Sequence, residues 1–134
     1  MIPKKVKYKK CQRGVLPYKI FSSTDNFFKK TNCICLIAKN FEVVSYIQLK
    51  ALKQAITKIL KKRGKIIFNA FAHTPITKKP LEIRMGKGKG AVYSWVAKIK
   101  PGFIICKIES KNLLLAKKAL IYSRIRLPIK TKIL

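Results

Sequence analysis

The stretch Thr77-Lys78-Lys79-Pro80-Leu81-Glu82-Ile83-Arg84-Met85-Gly86-Lys87-Gly88-Lys89-Gly90 decides how the rest of the chain is interpreted. Glycines alternate with lysines at its end, and glycine removes the Cβ atom where a backbone must come close to another molecule. The intervening lysines place ammonium groups beside the exposed peptides. Such a flexible basic loop suits a phosphate backbone pressed against it. The sequence therefore predicts a phosphate-binding loop over residues 77–90, presented by a small scaffold.

The end of this stretch also matches the dinucleotide-binding pattern G-x-G-x-x-G/A, from Gly86 to Ala91. That pattern must follow a strand and open a helix, whose N-terminus holds the pyrophosphate. Here it follows a polar segment with Pro80 and opens the strand-like run 91–99. The four scattered acids and one histidine offer no paired general acid and base. We therefore predict a protein that is not an enzyme and uses no cofactor.

Charge defines the class of partner. The 134 residues, enough for one domain, carry 32 Lys and Arg against four Asp and Glu, a net charge of +28. Lysines set on phosphates release condensed counterions, so this excess predicts a polyanion partner. The longest uncharged run is too short to cross a bilayer, and no secretory leader is evident. Lysine and isoleucine, which use A/T-rich codons, are both abundant, which suggests an AT-rich, organellar genome.

The four cysteines predict no metal site. Cys33-Ile34-Cys35 lacks the two-residue spacer of a zinc or redox motif, and His73 is distant from every cysteine in the sequence. We therefore expect free thiols in a reducing compartment.

We predict that residues 1–14 form a basic arm that becomes ordered on a partner, and that residues 15–134 form a single globular domain. Tyr8 in the arm either stacks on a base or ribose or anchors the arm to the domain. In the domain, residues 22–26 favour a turn between short strands. The cationic residues of the arm are Lys4, Lys5, Lys7, Lys9, Lys10 and Arg13.

Local signals predict most of the elements. A strand covers 33–39, and Ser45 with Gln48 forms the capping box of a helix that Gly64 ends as its C′ residue. A strand over 65–72 and a turn at 73–75 lead to the loop. After the loop, strands 91–99 and 103–108 form a hairpin around a type II turn at Pro101-Gly102. A second helix runs from Leu113, capped by Asn112, to about Arg126, and residues 129–134 alternate like an edge strand.

These elements indicate an α+β fold with a mostly antiparallel sheet and two helices. The apolar face of the first helix is expected to be core, as is Trp95. Its opposite face is expected to contact RNA, because few acids exist to pair with its lysines. The cations of that face are Lys50, Lys58, Lys61 and Lys62.

The loop, with its continuation Ala91-Val92-Tyr93-Ser94-Trp95, resembles the bacterial-type large-ribosomal-subunit protein sixteen family. Ser45 with Gln48, the run 62–66, Pro101-Gly102 and the run 127–132 extend the resemblance almost end to end. It implies an α/β-hammerhead-like domain that binds large-subunit rRNA beside neighbouring ribosomal proteins, near the peptidyl transferase region and bound tRNA. The residues that this resemblance assigns to the RNA-binding loop are Lys78, Lys79, Arg84, Met85, Gly86, Lys87, Gly88, Lys89 and Gly90.

The resemblance favours an organelle, because arginine is scarce in the arm and residues 15–44 match poorly. We expect a mitochondrial ribosome, with a plastid or a bacterial cytoplasm as alternatives, and a protein that is not a homo-oligomer. Two other classes remain open from the residues alone. One is a free regulatory RNA-binding module or RNA chaperone. The other is a membrane-surface protein built on the amphipathic helix 45–63.

Overall fold

The computed structural model describes residues 2–12, 14 and 33–134. Arg13 and the turn predicted over 22–26 lie outside the described residues. The elements within them, in chain order, are β1 (Cys33–Ala38), β2 (Glu42–Ser45), α1 (Tyr46–Leu60), β3 (Gly64–Phe68), β4 (Thr74–Lys78), β5 (Ala91–Ile99), β6 (Ile104–Ser110), α2 (Leu113–Arg124) and β7 (Thr131–Ile133).

The strands form two antiparallel sheets. One has the order β3-β6-β1-β7 and the other the order β2-β5-β4. The two helices pack on each other, α1 also contacts β2 and β5, and α2 also contacts β1, β6 and β7. Leu36, Leu52, Ile99, Ile108 and Leu120 are fully or almost fully buried in the core that results. The α+β prediction is confirmed, although the strands form two sheets where one was expected.

Helix α1 begins as predicted and ends differently. The Ser45 Oγ accepts from the Gln48 N–H at 3.3 Å, and the Gln48 Oε1 accepts from the Ser45 N–H at 2.8 Å, which completes the capping box. The left-handed C-cap is Lys61, with φ 43°, so the predicted C′ role of Gly64 is wrong. Gly64 instead begins β3, where an added Cβ would lie 2.9 Å from the Glu109 carbonyl oxygen.

The hairpin predicted for residues 91–108 is also wrong. The turn itself is present: Gly102 has φ 79°, and the Phe103 N–H donates to the Lys100 carbonyl at 3.1 Å. However, β5 pairs with β2 and β4, whereas β6 pairs with β1 and β3. The turn therefore carries the chain from one sheet to the other.

The segment before the loop differs from its prediction as well. The strand predicted over 65–72 ends at Phe68, and Asn69 and Ala70 donate their N–H groups to the Ile105 carbonyl. The predicted turn at 73–75 is instead the start of β4. Pro75 is compatible with β4 because β4 is an edge strand, in which N–H groups that face away from the sheet are not needed as ladder donors.

The C-terminal region follows the sequence prediction closely. The Asn112 side chain accepts from the Leu115 N–H at 3.0 Å and caps α2, which ends at Arg124, two residues earlier than expected. Strand β7 pairs with β1 at the edge of its sheet.

Candidate nucleic-acid interface

Strands β4 and β5 hold the base of the loop together. Lys78 pairs with Ala91, so residues 79–90 form the connection between two adjacent strands. An added Cβ on Gly90 would lie 2.6 Å from the Lys78 carbonyl oxygen. The sequence explained this glycine by the close approach of another molecule. The structure shows that the close neighbour is the chain's own strand β4.

The tip of the loop has a different geometry. Gly86, Lys87 and Gly88 have φ values of 102°, 52° and 81°, all in the region that favours glycine. A Cβ on Gly86 or Gly88 would meet nothing within 4 Å. This conformation exposes Arg84, Met85 and Lys87 around a backbone that carries little side-chain bulk.

The loop also exposes apolar side chains that the charge-based prediction undervalued. Met85 is 100% exposed, Leu81 97% and Ile83 52%. Large apolar groups so exposed commonly mark a contact surface. The loop therefore combines cations with exposed apolar side chains.

Three loop lysines have contacts within the protein. The Lys79 ammonium donates to the Gly86 carbonyl and so closes the loop on itself. The Lys78 Nζ lies 5.4 Å from the ring centroid of Tyr93, which is 71% exposed. The pairing of β4 with β5 shifts register between Ile76 and Thr77, next to the exposed Tyr93. Trp95, two residues after Tyr93 on β5, packs against the core as predicted. Sequence alternation alone did not single out Tyr93 as a surface residue.

The third loop lysine joins the loop to the N-terminal arm. The Lys89 Nζ donates to the Cys11 carbonyl at 2.6 Å, and the Lys10 Nζ donates to the Lys89 carbonyl at 2.8 Å. Two segments about 80 residues apart in sequence are thus held side by side. The sequence predicted both segments but not this contact, because no local pattern encodes it.

The rest of the arm extends this basic surface. Lys4, Lys5, Lys7, Lys9 and Lys10 are all exposed, and no helix or strand forms within residues 2–12. Near the start of the arm, Ile2 lines a shallow cleft with Lys50 and Lys53 of α1. The arm therefore reaches from α1 to the loop. Tyr8 is 71% exposed beneath the Lys7 ammonium, so the structure does not show it anchoring the arm to the domain.

The predicted helix face is divided between α1 and the turn after it. Lys50 and Lys58 lie on α1 and are exposed, as are Lys61 and Lys62 beyond its last residue. Lys53, which the predicted set omitted, is exposed on the same helix. The opposite face, with Leu49, Leu52, Ile56 and Leu60, is buried as predicted.

Comparison with known proteins shows the family. Residues 3–134 match the family described as ribosomal protein L16p/L10e. The chain belongs to this family. The large ribosomal subunit protein uL16 of Kosmotoga olearia is 43% identical over 133 residues, which cover 99% of this chain and 92% of the relative. The uL16c protein of Euglena longa is 41% identical over 132 residues (98% and 96%), and uL16 of Rhodopseudomonas palustris strain BisA53 is 36% identical over 132 residues (98% and 94%).

Membership confirms the resemblance seen in the sequence. The chain is a structural ribosomal protein of the large-subunit type, and the prediction that it is not an enzyme is confirmed by the family. The Gly86–Gly90 run is followed by strand β5 and not by the helix that a dinucleotide-binding motif requires. The family also confirms the predicted ribosomal location.

His73 and the cysteines form no metal site or disulfide within the described residues. His73 is exposed, with its Nδ1 3.2 Å from the Phe71 carbonyl oxygen, and the described residues contain no group of three or more metal-ligating side chains. None of the four cysteines forms a disulfide bond. Burial, with a smaller contribution from Cys33, raises the pKa of Cys35 to about 12, and burial also raises the pKa of Cys106 to about 12. No helix within residues 2–12, 14 and 33–134 is long and apolar enough to span a membrane.

Proposed function

We propose that this family member binds large-subunit rRNA through one continuous surface, formed by the arm (residues 1–14), the loop and the exposed face of α1. The observation that carries the proposal is the contact of Lys10 and Lys89, which joins the arm to the loop. The two segments then present their cations to the same stretch of RNA. Residues 15–134, which include the loop and α1, form the single domain that carries this surface.

The contacts of the loop cations support a role in RNA binding for the tip of the loop. Lys78, Lys79 and Lys89 contact other parts of the chain, whereas Arg84 and Lys87 have no hydrogen bond or ion pair within the described residues. A guanidinium binds phosphate oxygens as a bidentate fork, and an ammonium binds as a point charge. We propose that Arg84, Met85 and Lys87 reach RNA and support tRNA positioning near the A site and peptidyl transferase region.

The test of this role separates translation from assembly. Arg84→Ala and Lys87→Ala should disturb tRNA accommodation while large subunits still accumulate. Lys132→Ala, which removes an exposed cation from β7, is the matched control and should leave both unchanged. Polysome profiles with complete loss of large subunits, and no selective translation defect, would contradict the proposed division.

The compartment is a separate proposal. We propose that the chain belongs to a mitochondrial ribosome and is encoded by an organellar gene, because its 27 lysines and 19 isoleucines indicate A/T-rich codons. We also propose that each subunit holds one copy of the chain and that the chain forms no homo-oligomer. Fractionation of lysates with the tagged chain tests this. Recovery in plastid or bacterial large subunits would overturn the compartment and leave RNA binding intact. Protein recovered free of ribosomes would instead favour a regulatory RNA-binding module or chaperone.

A further inference from the structure

The outward face of α2 is unlike that of α1. On α2, Leu114 is 75% exposed, Tyr122 66% and Ile125, at its C-cap, 77%, and Ile121 is also exposed. These positions fall at helical spacings of three, four and seven, so they share one side of the helix. The buried residues Ala116, Ala119, Leu120 and Ser123 occupy the other side. An apolar face therefore remains uncovered by the described residues.

The same face carries cations and no acid. Lys117 and Lys118 are exposed between Leu114 and Ile121, and Arg124 and Arg126 are exposed at the end of the helix. Beside that end, Ile125 and Ile129 line a shallow groove together with the cationic residues Lys39, Arg124 and Lys130. Exposed apolar side chains therefore lie beside cationic side chains along the whole face.

On α2 the exposed apolar residues form one helical face, whereas Leu81, Ile83 and Met85 lie on a segment without helix or strand, and a continuous apolar face favours a protein over RNA. The exposed residues of α1 are polar or basic except for Ile47, as expected of a surface that faces phosphates. Phosphates set against Leu114, Ile121 and Ile125 would lose water without gaining a hydrogen bond. An acidic protein segment would instead bury its apolar side chains on these residues and place carboxylates on the lysines and arginines.

We propose that the outward face of α2 is the docking surface for an acidic, amphipathic protein segment within the large subunit. The partner supplies leucine- or isoleucine-like side chains to the apolar residues and Asp or Glu to Lys117, Lys118 and Arg124. This inference rests on the proposed place of the chain in the large subunit and adds the chemistry of one neighbour.

The experiment is photocrosslinking in purified large subunits that contain the full chain. One chain carries p-benzoylphenylalanine in place of Tyr122, and a matched chain carries it in place of Lys58 on α1. We expect the α2 probe to crosslink to a protein segment that contains both carboxylates and large apolar residues, and the α1 probe to crosslink to rRNA. A crosslink from the α2 probe to rRNA, to residues 15–32 of the same chain or to a protein segment without acids, or no crosslink, would overturn the proposal.

Charge variants test the same surface independently. Lys117→Glu with Lys118→Glu should lower the yield of the protein crosslink by about tenfold, because like charges across an interface oppose association. Lys117→Arg with Lys118→Arg should keep the yield, and an unchanged yield with the two glutamates would contradict the acidic partner.

Each variant is first sedimented to check that it is present in large subunits. Absence of the wild-type chain from large subunits would refute the proposed function itself, whereas its presence without the expected crosslink would refute the docking surface alone.

Discussion

Gly88 and Gly90 lie two residues apart in the loop, but they are glycine for different physical reasons. Gly88 has φ 81° and open space around its Cβ position, whereas a Cβ on Gly90 would lie 2.6 Å from the Lys78 carbonyl oxygen. Asn tolerates left-handed backbone. We expect Gly90→Asn to lower the free energy of unfolding by about 1–3 kcal/mol, as other overpacked substitutions do, and Gly88→Asn to lower it by less than about 0.5 kcal/mol.

Denaturant unfolding followed by Trp95 fluorescence measures both substitutions, because Trp95 is the single tryptophan and lies on β5 beside the loop. Equal losses of stability for the two variants would show that the contact of Gly90 with β4 is not what requires this glycine.

The cysteines give a second prediction for single residues. Because burial raises the pKa of Cys35 and of Cys106 to about 12, both thiols are almost entirely protonated at pH 8, whereas Cys11 is exposed. We expect Cys11 to react with a maleimide much faster than either of them, and Cys11→Ser to abolish that labelling. Mass spectrometry of the native protein gives the measurement, and rapid labelling of Cys106 would contradict the buried position.

The same pKa values set a direction for alkaline stability. Below pH 9 the thiols of Cys35 and Cys106 are mostly protonated in both the folded and the unfolded chain. As pH rises from 9 towards 12, the unfolded chain loses these protons first, so the folded state loses stability in that window.

At the scale of elements, local signals in the sequence predicted where helices begin better than they predicted which strands pair. The capping box of α1 and the cap of α2 depend on residues three apart, and both were predicted. The pairing of β5 and β6 was not, because the turn at Pro101-Gly102 fixes the direction of the chain but not which strand each neighbour joins. Gly64 was assigned to the helix end because nothing in the sequence indicates the close backbone of Glu109.

The candidate site divides in the same way. The motif at residues 77–90 was enough to predict the loop, its exposure and its basic character. The contact between Lys10 and Lys89 depends on how β4 and β5 place the loop relative to the arm, so the sequence could not indicate it. The exposure of Tyr93 likewise accompanies the irregular register of β4 and β5.

The contact between arm and loop leads to a prediction at this scale. Lys89→Met removes the ammonium that donates to the Cys11 carbonyl, so the arm should move more freely. A dye attached to Cys11 should then show lower fluorescence anisotropy. Lys87→Met, which alters an exposed neighbour with no contact to the arm, should leave the anisotropy unchanged. Equal anisotropy in all three proteins would show that Lys89 does not hold the arm.

At the scale of the whole molecule, the net charge of +28 opposes the compact state. Salt screens repulsion between exposed charges over about 10 Å at 0.1 M ionic strength. We therefore expect the thermal midpoint of the isolated chain to rise between about 50 and about 500 mM NaCl, and a short RNA to raise it further. Calorimetry at several salt concentrations measures this, and a midpoint that falls steadily with salt would contradict charge repulsion as the main destabilising term.

The same charge gives RNA binding a defined dependence on salt. Removing one cation that neutralises an RNA phosphate should make the slope of log affinity against log salt shallower by about 0.7–0.9. The surface made of arm, loop and α1 offers many such cations, so binding should survive moderate salt and fail at high salt.

The most direct test is sedimentation of the tagged chain on sucrose gradients at stepped salt concentrations. It measures whether the protein is part of the large subunit and whether its basic surface holds it there by binding rRNA. We expect the wild-type chain to co-migrate with the large subunit through moderate salt. Replacement of Lys10, Arg84 and Lys87 together by alanine should release the chain at a lower salt concentration. A wild-type chain found at the top of the gradient without rRNA, or a triple variant that releases at the same salt as the wild type, would contradict binding through this surface.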